Sequence, residues 1–145
     1  MTDRSPVALR PATLDDAPRI AALLSDEGYP AGSSDIVTRL ERFVPPSQVV
    51  VASVEGEVLG FIAVYVMPRF EHGDWIARIL ALVVDPGVRD RGIGHLLMAE
   101  ADRIGSEREA AFVGVTAGHH RSDARRLYES LGYDATVTSY LRKRL

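Results

Sequence analysis

Cysteine is absent from this chain of 145 residues, lysine occurs once, and no long apolar run is present. Without cysteine, disulfides, thiolate nucleophiles and cysteine-ligated metals are excluded. A membrane-spanning helix needs roughly 18 or more consecutive apolar residues, and no segment approaches that length. The first residues, Met1 to Pro6, lack the apolar core of a secretory signal. We therefore expect a cytoplasmic protein without a membrane partner.

Positive charge is carried almost entirely by arginine, with Lys143 as the single lysine among 17 basic residues. Arginine suits phosphate recognition because its guanidinium fork matches phosphate geometry. A base-composition bias of the genome explains the same excess equally well. The formal net charge of −3 argues against a nucleic-acid partner, for which a basic footprint is expected.

The length is that of one domain, and neither a repeat nor a linker divides the chain. We expect a single domain over residues 1–145, of the α/β class with a mixed sheet, in the order β-α-α-β-β-β-α-β-α-β. The predicted strands are Val7–Arg10, Gln48–Val54, Val58–Met67, Trp75–Val84, Ala111–Thr116 and Val137–Leu145. The predicted helices run from Asp15 or Asp16 to Gly28, from Ser33 or Ser34 to Phe43, from Ile93 to Gly105 and from Ser122 or Asp123 to Gly132.

The most informative segment follows the fourth predicted strand and reads DPGVRDRGIG from Asp85 to Gly94. Glycines at the start of a helix let backbone N–H groups approach an anion, and the helix N-terminus adds unpaired donors and a positive dipole end. The segment predicts a cradle for a pyrophosphate, although a tight turn that needs glycine only for its backbone gives the same pattern. A Rossmann fingerprint is excluded because Leu97 occupies its third small position, and the Lys-Ser/Thr pair of a P-loop is absent.

The run Arg89-Asp90-Arg91-Gly92-Ile93-Gly94 resembles the Arg/Gln-x-x-Gly-x-Gly/Ala motif of the GNAT N-acetyltransferases. A second motif of that family, Ala-x-x-Leu/Phe-Tyr-x-x-x-Gly-Phe/Tyr, is similar to the segment from Ala124 to Tyr133. The resemblance extends in register from Val7 to Leu145 and includes two helices after the first strand. It implies a GNAT-like fold and acetyl-CoA as co-substrate.

The resemblance also implies which residues hold acetyl-CoA. The main chain of Leu82, Val83 and Val84 is expected to pair with the pantetheine arm like an added strand, and the strand carrying Val84 is expected to diverge from the strand carrying Val115. The pyrophosphate is expected on the backbone amides of Arg89, Asp90, Arg91, Gly92, Ile93, Gly94 and His95.

Tyr128 matches the general acid of the family. Acyl transfer expels a thiolate with a conjugate pKa of about 8.5, and a phenol with a pKa near ~10 can donate a proton to it. Tyr128 also shares a helical stripe with Ala124 and Leu131, and that spacing alone favours a core residue. With the motif around it, the resemblance favours the general acid.

The chain departs from the family pattern at two places. Arg121 stands where relatives usually have an asparagine that contacts the cofactor, so Arg121 is either a phosphate contact or a solvated residue. Ile79, Leu80 and Ala81 stand where many relatives have a carboxylate that accepts the proton of the amine. The remaining candidate bases are Glu27, Glu71, His72, Asp74, His119 and His120, and a water chain or the unprotonated amine fraction would also suffice.

No metal site is predicted, because His119 and His120 would point to opposite faces of a strand and no further ligand is near. The acceptor predicted by the resemblance is a primary amine of a small molecule, as for the aminoalkylphosphonate acetyltransferases. Arg69 and His72 would suit an anionic acceptor, while a peptide N-terminus or an aminoglycoside amine is also compatible. The family resemblance allows a homodimer. The alternative is a non-catalytic acyl-CoA-binding sensor or partner domain, which the missing strand carboxylate favours.

Overall fold

The computed structural model describes residues 5–117 and 122–145. Short 3-10 turns precede two of the helices, at Leu14–Asp16 and Pro86–Arg91. The strands are β1 (Ala8–Pro11), β2 (Gln48–Val54), β3 (Glu57–Pro68), β4 (Trp75–Val84) and β5 (Val113–Val115). The helices are α1 (Ala17–Asp26), α2 (Ser33–Arg42), α3 (Ile93–Glu107) and α4 (Ser122–Ser130).

The described strands form one sheet in the order β1-β2-β3-β4-β5. Neighbouring strands are antiparallel from β1 to β4, because each is joined to the next by a connection that reverses the chain. β4 and β5 are parallel, and α3 provides the crossover between them. The predicted mixed α/β sheet is confirmed.

Helices cover both faces of the sheet. Ile20 of α1 and Ile36 of α2 belong to a buried cluster with Phe61 of β3. Leu97 of α3 belongs to a second cluster with the next residue of β3, Ile62. Successive side chains of a strand point to opposite faces, so a β3 that is apolar at both positions is buried on both sides, as its sequence indicates.

A glycine near the start of β3 sets how closely α3 approaches the sheet. A Cβ added at Gly60 would lie 3.0 Å from the carbonyl oxygen of Val83 and 3.2 Å from Cγ2 of Ile93. Any larger side chain would push these groups apart. Gly60 therefore allows the first turn of α3 to pack beside the end of β4.

The predicted closing strand over Val137–Leu145 is wrong. Residues 137–145 form neither strand nor helix, and Val137, Tyr140 and Leu141 are exposed. A strand forms when its apolar side chains are buried and its backbone finds a ladder. These side chains are not among those packed against either described core cluster. β5 is also only three residues long, shorter than the predicted Ala111–Thr116.

The longest described helix, α3, has 15 residues. A helix that crosses the hydrocarbon core needs about 20. Within residues 5–117 and 122–145, no helix has both the length and the apolar character of a membrane span.

A buried carboxylate ties β1 to the start of α1. Asp16 is 7% exposed and accepts hydrogen bonds from Nη1 and Nη2 of Arg10, both at 2.8 Å. It also accepts from the backbone N–H of Thr13 at 2.8 Å. The hydrogen bond from Arg10 is the main reason why the pKa of Asp16 lies below its ordinary value of 3.8, and the bonds from Thr13 act in the same direction.

We expect Asp16→Asn to lower the free energy of unfolding at pH 7 by about 1.5–3 kcal/mol, the range for hydrogen bonds to a charged group. Because the pKa of Asp16 is lower in the folded state, its contribution is complete above the unfolded-state pKa and is lost as the pH falls through the folded-state value. Urea unfolding between pH 7 and pH 2 measures both effects. Asp15→Asn, at an exposed position of the same turn, is the control. An unchanged acid dependence in Asp16→Asn would contradict this assignment.

Candidate active site

β4 carries one extra residue where it passes β3. Ala63 lies opposite Ala81, whereas the next residue, Val64, lies opposite Ile79. Leu80 is therefore the additional residue of a β-bulge, and it is 56% exposed. A bulge bends a strand and increases its twist. The pairing of β4 with β5 ends at Ile79, immediately before this bend.

Beyond the bulge, one edge of β4 is open. β3 continues to pair with β4 as far as the register of Gly60 with Val84. On the other edge, no strand in the described residues pairs with Leu82, Val83 or Val84. Residues 79–83 of β4 and Val115–Ala117 line one cavity instead of pairing further, as the expected divergence of the two strands requires, and the open edge offers backbone groups to an extended ligand. That pantetheine pairs there stays a prediction.

The turn that follows β4 is fixed by Asp85. Its carboxylate accepts a hydrogen bond from the backbone N–H of Gly87 at 2.8 Å and forms an ion pair with Arg19 of α1. Both interactions lower the pKa of Asp85, and the hydrogen bond from Gly87 contributes more. Arg19 also donates from Nε to the carbonyl oxygen of Val58 at 2.8 Å. The turn is therefore anchored to α1 and to β3.

Two glycines shape the start of α3. Gly92 has a φ of +75°, a left-handed conformation that favours glycine. Gly94 lies in the first turn of the helix, where N–H groups have no intrahelical acceptor. A Cβ at Gly94 would lie 3.9 Å from both Leu127 and Val84, so this helix start is close to the end of β4 and to α4. The arrangement fits the predicted anion cradle.

The other predicted cradle residues are also in this segment. Arg89, Asp90 and Arg91 belong to the 3-10 turn, and Ile93 is a buried anchor of α3. The guanidinium of Arg91 donates to the carbonyl oxygen of Ser5 at 2.8 Å, and His95 is exposed. The side chains of Arg89 and Asp90 lie outside the described parts of the structure. The predicted cradle draws on the backbone N–H groups of this segment and on the helix dipole.

Tyr128 of α4 is half-buried and contacts the core cluster beneath α3. It also lines a cavity of about 430 Å³ together with residues 79–83 of β4 and Val115–Ala117. Tyr128 thus both packs on the core and lines the cavity, so its position is compatible with either interpretation. Whether its hydroxyl acts as the acid stays a prediction.

Tyr133 lies against Tyr128, with ring centroids 6.1 Å apart and an interplanar angle of 54°. Its hydroxyl is buried and has no hydrogen-bond partner in the described structure. Burial is the main reason why the pKa of Tyr133 is raised to about 12, and the nearby Asp102 and Tyr128 add to the effect. Tyr133 therefore stays a neutral phenol at any physiological pH.

Three groups from outside the two motifs complete the cavity. Glu27 and Tyr29 follow α1, and Arg142 belongs to the C-terminal segment. Sequence reasoning included Glu27 among six candidate bases, but it missed Arg142 because that residue was placed in a strand. No local pattern distinguishes Arg142 from its neighbours Lys143 and Arg144.

The loop between β3 and β4 does not reach this cavity. Arg69 forms a two-point ion pair with Asp74, with N–O distances of 2.8 and 2.7 Å, and its guanidinium lies over the ring of Phe112. Glu71, His72 and Asp74 are not among the cavity's lining residues. Arg69 is engaged within its own loop, so the structure gives no support to a role for this loop in binding an anionic acceptor.

Arg121, His119 and His120 lie outside the described residues. Within the described parts of the chain, no group of three or more histidine, aspartate or glutamate side chains is arranged to hold a metal ion. A larger cavity, of about 730 Å³, lies at the other end of β4 beside Trp75 and the last turn of α3. None of its lining residues belongs to either motif.

Comparison with known proteins agrees with this geometry. The sequence model of the acetyltransferase (GNAT) family matches residues 15–133. An aminoalkylphosphonate N-acetyltransferase of Salmonella typhimurium is 31% identical over 130 residues, which cover 86% of this chain and 83% of that protein.

Solved structures share the fold over nearly the whole chain. A transcriptional regulator from Bacillus halodurans superposes with a TM-score of 0.84 at 24% identity, covering 97% of this chain and 100% of that one. An aminoglycoside N-acetyltransferase in complex with CoA gives a TM-score of 0.82 at 17% identity, covering 100% and 99%. The family match, the identity to a curated relative and the diverging strands lead to one conclusion: the chain belongs to the GNAT family of N-acetyltransferases.

Proposed function

We propose that the protein transfers the acetyl group of acetyl-CoA to the primary amine of a small molecule by direct attack in a ternary complex. The observation that carries the proposal is the cavity where β4 and β5 diverge, because it brings Tyr128 beside the open edge of β4. The described residues fit acetyl-CoA without a cationic side chain at the cradle. The first turn of α3 offers N–H groups to the pyrophosphate, and Leu82–Val84 offer backbone groups to the pantetheine arm.

Bound acetyl-CoA supplies an electrophilic thioester carbonyl. The amine nitrogen attacks that carbon, the carbon–sulfur bond breaks, and the amine gives up one proton while the sulfur gains one. Tyr128 is the proposed proton donor to sulfur, since it is the one phenol that both belongs to the second motif and lines the cavity among the described residues. Leu80 and Ala81 add apolar side chains to the cavity wall.

The proposed acceptor is a small amine, in line with the name of the relative from Salmonella typhimurium, an aminoalkylphosphonate N-acetyltransferase. A cavity of about 430 Å³ falls within the range of small-molecule sites. Dimerisation, the single domain over residues 1–145 and a cytoplasmic location remain proposals of the same kind.

The test is release of free CoA thiol from acetyl-CoA with a panel of aminoalkylphosphonates, amino acids, simple alkylamines, an aminoglycoside and a short peptide. We expect turnover to be fastest with one of the small amines. If acetyl-CoA binds but no acceptor releases thiol above the background rate, the alternative of an acyl-CoA-binding sensor domain is favoured and the proposed transfer is wrong.

Glu27 is the only carboxylate that lines the cavity among the residues the structure describes. If it accepts the proton of the amine, Glu27→Gln should lower kcat/KM at pH 7 by about 10²–10⁴-fold, the usual contribution of a general base. The loss should shrink as the pH approaches ~10, where an alkylamine deprotonates without help.

The pH profile of kcat/KM distinguishes Glu27 from the alternative without a protein base. In that alternative kcat/KM rises up to about pH 8–9 in wild type and in Glu27→Gln alike, following deprotonation of the free amine. Asp26→Asn, a neighbouring acid that does not line the cavity, is the matched control. Parallel profiles for the two proteins would remove Glu27 from the mechanism.

A further inference from the structure

We propose that Arg142 binds an acidic group of the acceptor, so that the preferred substrate is a small amine that also carries a phosphonate or carboxylate. This inference rests on the proposed acetyl transfer and specifies its substrate class. Arg142 lies in the C-terminal segment, far in sequence from both motifs, and lines the same cavity as Tyr128. It is the only cationic side chain on the cavity wall within residues 5–117 and 122–145.

The guanidinium of Arg142 is available to a ligand. It is exposed, and it forms no ion pair or hydrogen bond in the described structure. Arginines elsewhere are already engaged: Arg10 with Asp16, Arg19 with Asp85 and Arg69 with Asp74. Arg142 is thus an arginine with free donors that faces a cavity.

The guanidinium of Arg142 contrasts with the other side chains of the cavity wall. Residues 79–83 of β4 and the segment Val115–Ala117 present apolar or small side chains, and Glu27 is the acidic group. An acceptor that carries both an amine and an acid therefore meets a cationic side chain for its acid, on a wall that is otherwise mostly apolar. A neutral amine would leave Arg142 unpaired beside the bound acceptor.

Arginine is well suited to this role. Its planar guanidinium donates two parallel hydrogen bonds to a carboxylate or phosphonate, which fixes orientation as well as adding affinity. Lysine would supply charge without the fork. Arg142 belongs to an irregular segment and lines the same cavity as residues 79–83 of β4 and Tyr128.

The experiment compares wild type with Arg142→Ala, Arg142→Lys and the control Arg144→Ala, an exposed arginine of the same segment that does not line the cavity. The acceptors are 2-aminoethylphosphonate, β-alanine and n-propylamine. We expect Arg142→Ala to raise KM for the two acidic acceptors by about 10- to 100-fold, the effect of losing charge-assisted hydrogen bonds. KM for n-propylamine and for acetyl-CoA should change less than about twofold, and Arg142→Lys should lie between wild type and Arg142→Ala.

A second measurement tests binding of an acidic group at Arg142 without turnover of an amine. Ethylphosphonate and propionate, which lack an amine, should inhibit competitively against the acceptor, and Arg142→Ala should raise their inhibition constants by the same factor as KM. Comparing the two compounds shows whether the phosphonate or the carboxylate is preferred. Equal losses for acidic and neutral acceptors, an effect on acetyl-CoA alone, or unchanged inhibition would each overturn the role of Arg142.

Failure of this inference differs from failure of the proposed function. If wild type acetylates n-propylamine as efficiently as the acidic acceptors and Arg142→Ala behaves like wild type, acetyl transfer stands and only the acidic substrate class is wrong. If wild type releases no thiol with any acceptor, the proposed function is wrong as well.

Discussion

Gly94→Asp is expected to weaken acetyl-CoA binding by about 100-fold or more. The new carboxylate would lie in the first turn of α3, where the pyrophosphate is proposed to bind, and two like charges near 4 Å repel by about 4 kcal/mol at an effective dielectric constant near 20. The fold should tolerate the change, because a negative charge at a helix N-terminus is favourable. Calorimetric titration with acetyl-CoA measures the loss directly.

Gly94→Ala is the matched control for the charge. Its Cβ would meet Leu127 and Val84 at 3.9 Å, an ordinary van der Waals distance, so this variant adds a side chain without a charge or strain. Ligand-induced thermal stabilisation, which follows from mass action, should persist in Gly94→Ala and disappear in Gly94→Asp. If the aspartate variant binds acetyl-CoA as tightly as wild type, the cradle has been assigned to the wrong segment.

Tyr128→Phe is expected to reduce kcat by about 10²–10⁴-fold, the usual contribution of a general acid. Acetyl-CoA affinity should change little, because the hydroxyl donates its proton only as the thiolate forms and so acts in the transition state. Pre-steady-state measurement of thiol release isolates the chemical step. The ring that packs on the core is kept in this variant, so a loss of rate reports on the hydroxyl alone.

Tyr133→Phe provides a control at the neighbouring ring. The hydroxyl of Tyr133 is buried without a hydrogen-bond partner in the described structure, so removing it relieves a desolvated polar group and should leave stability equal or higher. Its kcat should match that of wild type. An unchanged kcat in Tyr128→Phe, measured where chemistry limits the rate, would instead make Tyr128 a core residue.

The fold was predictable where hydrophobic periodicity and turn residues act locally. The hairpin of β2 and β3, the long β4 and the helix after Gly92 agree with the sequence prediction because burial and glycine geometry determine them over short distances. The C-terminal strand was predicted wrongly since the residue types of Val137–Leu145 say nothing about whether a ladder partner exists. In the described structure this segment is not part of the sheet.

The candidate site was only partly readable from the sequence. Gly94 and Tyr128 lie in the two sequence motifs, which predict a pyrophosphate cradle and a general acid. The bulge at Leu80 lies within an apolar run that contains no glycine, a residue that often indicates a bulge. The register depends on how two strands pair, so the sequence of β4 alone does not predict it. Arg142 reaches the cavity through tertiary placement of an irregular segment, and no sequence period encodes such a contact.

The lengths of the strands also bear on how the protein avoids aggregation. The two edge strands of the described sheet are its shortest, with four residues in β1 and three in β5, and β1 ends at Pro11, which has no N–H to donate. Short edges and an edge proline discourage the strand-to-strand growth that leads to fibrils. The long, apolar strands β3 and β4 are held inside the sheet, where neighbouring chains cannot pair with them along their full length. Any self-association of this protein is therefore expected to use side-chain surfaces or the C-terminal segment rather than a sheet continued across β1.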